Sequence, residues 1–450
     1  MFLGVKLIVL LAYLFIGYKW NQKNNTSLAL KIVFWVILLR LMLSSVHEIT
    51  FQGVVAGQSL ISLFSLAFAG LTTLYLLYYK IPIVRCRILW PVKILVVVLI
   101  LSGMINSPIS AISEIVKWVL LINLVLLFII SMNENGTKKV FYGLAVCYLY
   151  PVILLILSIL LRESKASEAD GSTSYIGGAY HEAAFSVVIF SAGAIFLLLA
   201  TDLRKSGVVQ AFVILVMLSM LILVNYRTTL LAALAFVAVY SIFKFLSAKQ
   251  LQKSIMIVAI LTAIPALPAL MSLMSSGSLY ERFEEIPVFV EQVGELMVPY
   301  DYYYDEDGKF FSGRLMIWNQ YITTWSEGTL TEKLVGYGPG SWQDYFTLYA
   351  HNTFVSALFE WGVAGLVILF FVFITVLLRL LKISLNPIGY TAFSVLSGFI
   401  VLNLATMPLW QIEGMLLFSI LIAVSIYESV PKTVKTHPYM SIAGQERSRL

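Results

Sequence analysis

Long apolar stretches alternate with short polar connections along almost the whole chain. They fall near 2–18, 28–46, 57–79, 88–105, 112–131, 140–161, 183–200, 208–224, 229–247, 254–274, 353–379, 388–406 and 412–428. A helix needs roughly 20 apolar residues to cross a hydrocarbon core about 30 Å thick. Continuous runs suit such helices better than the alternating strands of a membrane barrel. The pattern predicts an all-α, polytopic transmembrane helix bundle of about 12–13 spans with one large extracytoplasmic loop. Residues 1–274 hold spans one to ten, 275–352 the loop, 353–428 the last three spans, and 429–450 a cytoplasmic tail. The first run is followed by KWNQK rather than a small-residue cleavage site, which favours a retained helix over a removed signal peptide. Without it the chain would have twelve spans and both ends inside.

Composition agrees with the pattern. Of 450 residues, 60% are hydrophobic and 12% charged, and the mean hydropathy of +0.90 is too high for a soluble protein with a single core. Cys86 and Cys147 form no CxxC and no metal-ligand spacing, which excludes a disulfide framework and a zinc site. The net charge of +6 is unevenly distributed. Residues 275–352 carry twelve acids and four bases, whereas the remainder carries 26 bases and 12 acids. Basic clusters recur in alternate connections, including Lys19/Lys23/Lys31, Lys138/Lys139 and Arg204/Lys205. The positive-inside rule places those loops in the cytoplasm and 275–352 outside. The N-terminus then lies outside, with Lys6 against the rule. The asymmetry is a topology signal and does not indicate a nucleic-acid partner. Pro265 and Pro268 predict a kink just before the large loop.

Candidate chemistry gathers on the expected outer side, around the stretch GYGPGSWQDYFTLYAHNTFVSALFEWGVAGL at 336–366. There a polar, aromatic loop enters a helix through His351-Asn352. Val355, Leu358, Gly362 and Gly365 share one face below the histidine, and the glycines would let another helix approach closely. His351 is either a neutral general base or, with Asn352, a helix cap. Arg227, in NYRTT between two apolar runs, is either an anion site at a helix start, with Thr228 or Thr229 as cap, or a headgroup contact. Arg314 opens an amphipathic stretch with Trp318, Tyr321, Ile322 and Trp325 at helical spacing. It binds an anion or pairs with a loop acid. His181-Glu182 is a second acid/base pair or a cap. Glu360 hydrogen-bonds within the bundle or lines the site. Gly336, Gly338 and Gly340 read as turn geometry that presents His351.

The sequence His351-Asn352, nine residues, Gly362-x-x-Gly365, with Gly336-Tyr-Gly338 upstream and Arg314 in GRLMIW, resembles the O-antigen ligase and polymerase (Wzy/WaaL) superfamily of bacterial membranes. The resemblance covers mainly residues 211–365. It implies a glycosyltransferase at the outer face of the inner membrane that moves oligosaccharide from undecaprenyl pyrophosphate to an acceptor hydroxyl, without metal or cofactor. Arg227 and Arg314 would hold the pyrophosphate, and His351 would act as base. His181, Glu182, Asn352 and Glu360 are the candidate acceptor or loop contacts, and under this reading Asp301 to Asp307, with tyrosine neighbours, would bind sugar hydroxyls. The acceptor is a lipid-linked repeat unit in a polymerase, the preferred reading, or lipid A-core in a ligase. A chain-length regulator is a further implied partner. A transporter or flippase and a non-catalytic export scaffold are the competing classes.

Overall fold

The computed structural model describes residues 2–55, 58–81, 89–106, 108–166, 173–205, 207–247 and 313–430. The expected span at 254–274 with its prolines, the acidic 301–307 segment and the tail beyond residue 430 lie outside the described residues. Helices α1 to α10 are Phe2–Lys23, Leu28–Ser45, His47–Thr50, Leu60–Tyr78, Trp90–Asn106, Pro108–Asn135, Thr137–Leu160, Glu182–Asp202, Gly207–Val224 and Arg227–Ser247. After the undescribed stretch come α11 (Arg314–Glu327), α12 (Leu330–Val335), α13 (Trp342–Tyr345), α14 (Thr353–Lys382), α15 (Pro387–Ala405), a 3-10 turn at Pro408–Trp410 and α16 (Ile412–Tyr427). Two short antiparallel strand pairs, Gly53–Val55 with Gln58–Ser59 and Lys165–Ala166 with Thr173–Ser174, close connections between helices. Ten described helices are long and apolar enough to cross a membrane, with α5 and α16 shorter but equally apolar. The chain is therefore an all-helical, multi-pass membrane protein. Every expected span within the described residues is a helix at its expected place.

Amphipathicity sorts the helices radially. A helix that is apolar on every side is buried, and α16 is buried at every position from Ile412 to Ile426. α6 and α8 surround it and are almost as enclosed. Peripheral helices expose Ile8, Leu11, Leu74, Phe212 and Leu215, as lipid contact requires. Polar side chains join neighbours inside the bundle. Asn123 of α6 donates to Thr72 Oγ1 at 3.1 Å and Thr73 Oγ1 at 2.8 Å on α4, and Ser45 of α2 meets Tyr150 of α7 at 2.7 Å.

The connections fall into two groups, one at each end of the bundle. Lys6, Glu48 and Gly178 meet at one end, where the Lys6 ammonium donates to Glu48 Oε1 at 2.6 Å and Gly178 O at 2.9 Å. Lys6 is 1% exposed, so its charge is paired inside the protein, which removes its weight as a topology signal. Residues 162–166 and 173–181 and the 225–226, 336–352 and 406–411 connections are at this same end, tied by contacts such as Tyr175 N to Leu223 O and Asn352 Nδ2 to Leu404 O. We call this the loop-bearing end. At the other end Ser27 meets Asn135, Thr137 meets Asp202 and Asn386 meets Glu428.

The structure corrects one local expectation. α14 is not continuous: Gly362 has φ 65°, ψ −172°, which breaks it into two pieces. The face Val355-Leu358-Gly362-Gly365 is therefore interrupted at Gly362. A Cβ there would fall on the backbone of Leu334 and Gly336, so the glycine admits the loop. Breaking the helix frees carbonyls, and the loop satisfies them: Tyr337 N donates to Phe359 O and Gly338 N to Glu360 O, both at 2.9 Å. Gly336 is the reciprocal close approach, at φ 76° against the Glu360 carbonyl. Asn106 Nδ2 then reaches Gly336 O at 2.8 Å and ties α5 to the same junction.

Candidate functional site

Four separate stretches converge at the loop-bearing end: the start of α8, the α9–α10 turn, the start of α11, and the residues before α14. The α9–α10 turn is tight because Asn225 adopts φ 56°, a left-handed conformation that asparagine tolerates, and caps α9 through Leu221 O and Ile222 O. Arg227 opens α10 and is half-buried. The expected threonine cap is replaced by two cross-links. Thr228 Oγ1 accepts from Arg314 Nη1 at 3.1 Å, and Thr229 pairs with Ser186 of α8 at 2.6 Å. Arg314 Nη2 also donates to the Tyr226 hydroxyl at 3.4 Å. Among the described residues Arg314 thus has neutral hydroxyls as partners; the loop acids from Glu281 to Asp307, its alternative partners, lie outside the described residues.

α11 is a staple for the segment that carries His351. Gly313, left-handed at φ 73°, precedes Arg314 at the helix start. From one face of α11, Trp318 Nε1 donates to Ala350 O at 2.7 Å, Tyr321 OH to Leu348 O at 3.0 Å, and Trp325 Nε1 to Lys333 O at 3.2 Å. Tyr321 also stacks on Phe346 at 3.9 Å. The helical spacing read from the sequence therefore fixes the backbone leading to His351 while holding Arg314 at its start.

His351 is not the cap. Asn352 is: its Oδ1 accepts from Phe354 N and Val355 N, and its Nδ2 donates to Leu404 O, so both polar atoms are committed to structure. His351 stands one residue earlier at φ 52°, its ring 4.0 Å from that of Tyr349. Its Nδ1 is buried and has no hydrogen-bond partner among the described residues. Burial, then the charge of Arg314, then His181, push the imidazole pKa down to about 3. The ring is neutral as expected, but burial and Arg314 are the cause rather than the helix terminus. Burial also raises the Tyr226 phenol, with Arg314 pulling it down and Glu182 pushing it up. Arg314, Tyr226, Glu182, His181 and His351 therefore lie within electrostatic reach of one another.

His181 caps α8, with Nδ1 accepting from Ala183 N at 3.1 Å, which leaves the neutral ring's proton on Nε2. Glu182 is buried in the first turn. Glu360 belongs to the bundle. Its Oε1 accepts from Ser356 Oγ at 2.6 Å and Trp410 Nε1 at 3.2 Å, and its Oε2 from Gly340 N at 2.6 Å, so it anchors the glycine loop.

Apart from Glu360, the ionisable side chains inside the spans were absent from the sequence-based candidates. Arg40 of α2 and Glu413 of α16 form a two-point ion pair at 3.0–3.3 Å, with Ser44 donating to Glu413 at 2.6 Å. Lys117 pairs with Glu114 on α6 and reaches Trp410 O at 2.9 Å. Both pairs line a cavity of about 750 Å³ whose wall includes His181. The signal was present, because charges within apolar runs are costly and mark polar interiors. Among the described residues no three His, Cys, Asp or Glu side chains are grouped so as to hold a metal ion.

No family model matches this chain, and no curated protein matches it. The superfamily resemblance therefore rests on its motif residues alone.

Proposed function

We propose that this membrane protein is a glycosyltransferase that moves oligosaccharide from undecaprenyl pyrophosphate to an acceptor hydroxyl, with a second lipid-linked repeat unit as acceptor. One observation carries the reading: Arg314 and a buried neutral imidazole with an unpartnered Nδ1 are held together by α11, beside the turn that carries Arg227. An arginine at a helix start suits a pyrophosphate. A neutral imidazole suits a hydroxyl proton. In the reaction the acceptor oxygen bonds to the anomeric carbon as the bond from that carbon to the pyrophosphate oxygen breaks. Undecaprenyl pyrophosphate leaves with the electron pair, its charge balanced by Arg314 and Arg227. The hydroxyl proton passes to His351 and then to solvent. Bound pyrophosphate offsets the guanidinium that depresses His351, so the imidazole is a stronger base in the complex than in the empty site.

The donor chemistry puts the loop-bearing end on the extracytoplasmic face of a bacterial inner membrane, in agreement with the charge alternation of the loops. The test is incubation of the purified protein with lipid-linked repeat units alone, with products resolved by size. A ladder supports the polymerase. Product that forms only after lipid A-core is added makes the protein a ligase. No product with either acceptor overturns the transferase reading and returns the chain to the transporter or scaffold class.

A further inference from the structure

The cavity of about 750 Å³ lies at the loop-bearing end, enclosed by the ends of α2, α4, α6, α7, α8 and α16. Its walls are mixed. Apolar side chains such as Leu63, Leu154 and Val188 supply most of the surface, and two ion pairs supply the polar part. Those charges cancel: Arg40 is bound by Glu413, and Lys117 by Glu114. A cavity with no surplus cation does not select an anion, so it differs from the Arg314 side of the site.

Two polar atoms there are unsatisfied. Glu114 is 6% exposed, and its Oε2 has no hydrogen-bond partner among the described residues. Gln411 Oε1 is likewise buried without a partner, and both residues line the cavity. A buried acceptor without a donor costs on the order of 1–3 kcal/mol, and more when charged, so two in one cavity point to a missing occupant. Both atoms are acceptors. The occupant must therefore donate, and a phosphate or carboxylate would be repelled. At the rim, the exposed rings of Phe51 and Tyr180 stand 5.3 Å apart and offer apolar faces to a flat, hydroxylated ring. His181 lies in the cavity wall and within electrostatic reach of His351.

We propose that this cavity is a binding site for a neutral, hydroxyl-rich sugar, toward which the Glu114 and Gln411 side chains turn so that its hydroxyls donate to Glu114 Oε2 and Gln411 Oε1. The proposal rests in part on the transferase reading, in which the sugar seated here belongs to the acceptor and His181 marks its path toward His351. The site itself does not depend on that reaction.

The experiment uses the full chain in phospholipid nanodiscs. Thermal shift is followed on titration with dodecyl glucoside, galactoside, maltoside and N-acetylglucosaminide, with dodecyl phosphocholine as the same chain under a head that has no hydroxyl donors. At least one glycoside should stabilise the protein and the phosphocholine should not. Glu114→Gln, which replaces a carboxylate acceptor with a neutral amide, should weaken that glycoside about tenfold or more. Ser62→Trp, a substitution at an exposed position of the wall, should weaken it by filling space, which keeps the test alive if Glu114→Gln folds poorly. Equal binding of phosphocholine, binding of no glycoside, or binding unaffected by both variants overturns the proposal. If transfer from the lipid-linked donor depends on Arg314 but glycoside binding ignores Glu114, this inference fails and the transferase reading stands. Glycoside binding through Glu114 in a protein that transfers nothing leaves the sugar site standing and overturns the transferase reading.

Discussion

Gly336→Ala tests whether the loop and the broken helix form one unit. Gly336 has φ 76°, ψ −175°, a region that is essentially glycine-only and costs any other residue about 1–3 kcal/mol. An added Cβ would fall on the Glu360 carbonyl and Trp361 nitrogen, which are backbone atoms and cannot swing aside. Relief requires the loop to lift. Lifting breaks the bonds of Tyr337 N to Phe359 O (2.9 Å), Gly338 N to Glu360 O (2.9 Å) and Asn106 Nδ2 to Gly336 O (2.8 Å). At about 0.5–1.5 kcal/mol per bond, these losses and the backbone strain together come to about 2.5–7.5 kcal/mol. Intrinsic tryptophan fluorescence follows melting of the purified protein in nanodiscs, and the apparent Tm should fall by about 5 °C or more. Gly4→Ala is the control, since nothing lies within 4 Å of its added methyl group. If Gly336→Ala melts within about 1 °C of the parent, the loop does not depend on this docking.

Arg314→Ala should lower donor use about a hundredfold while moving Tm little, because its guanidinium meets only Thr228 and Tyr226 among the described residues. Arg314→Lys should rescue poorly for lack of the planar fork; near-normal initial rates in both variants would reduce Arg314 to a surface contact. Trp318→Phe removes the donor to Ala350 O. Activity should drop more than stability, as read from kcat beside Tm, since that bond positions the residue before His351; unchanged kcat would contradict this. The His351 pKa, depressed in the folded protein to about 3 from the unfolded value, which lies near 6.5, makes a stability contribution that is present above the unfolded value and is lost as pH falls toward 3. Between those limits the parent should therefore lose Tm more steeply on acidification than His351→Asn, and parallel curves would remove the titration from His351.

The spans were legible because a continuous apolar run has one physical solution in a bilayer. The spacing of Arg314, Trp318, Tyr321 and Trp325 was legible for a similar reason, since a helix must bring them to one face. Three other features were hidden. Gly362 lies in an unbroken apolar run, and periodicity carries no sign that a loop will satisfy the carbonyls of a broken helix. Arg40 and Glu413 are far apart in sequence, so their pairing exists only after α2 and α16 pack. His351 and Asn352 are adjacent and either could cap a helix; that Asn352 takes the cap while His351 adopts φ 52° shows only in the folded chain.

The central claim is that the His351 imidazole takes the acceptor proton, and His351→Asn tests it most directly. Asparagine tolerates the left-handed backbone at this position, and Asn352 already supplies the cap, so the variant loses the imidazole and little else. The measurement is the initial rate of chain extension on lipid-linked repeat units, beside donor affinity and Tm in the same preparation. With affinity and Tm near those of the parent, the expected rate is lower by about 10²- to 10⁴-fold, and His351→Ala should be similarly slow. A His351→Asn protein that extends chains at the parent rate would contradict the base assignment and leave His351 a structural residue.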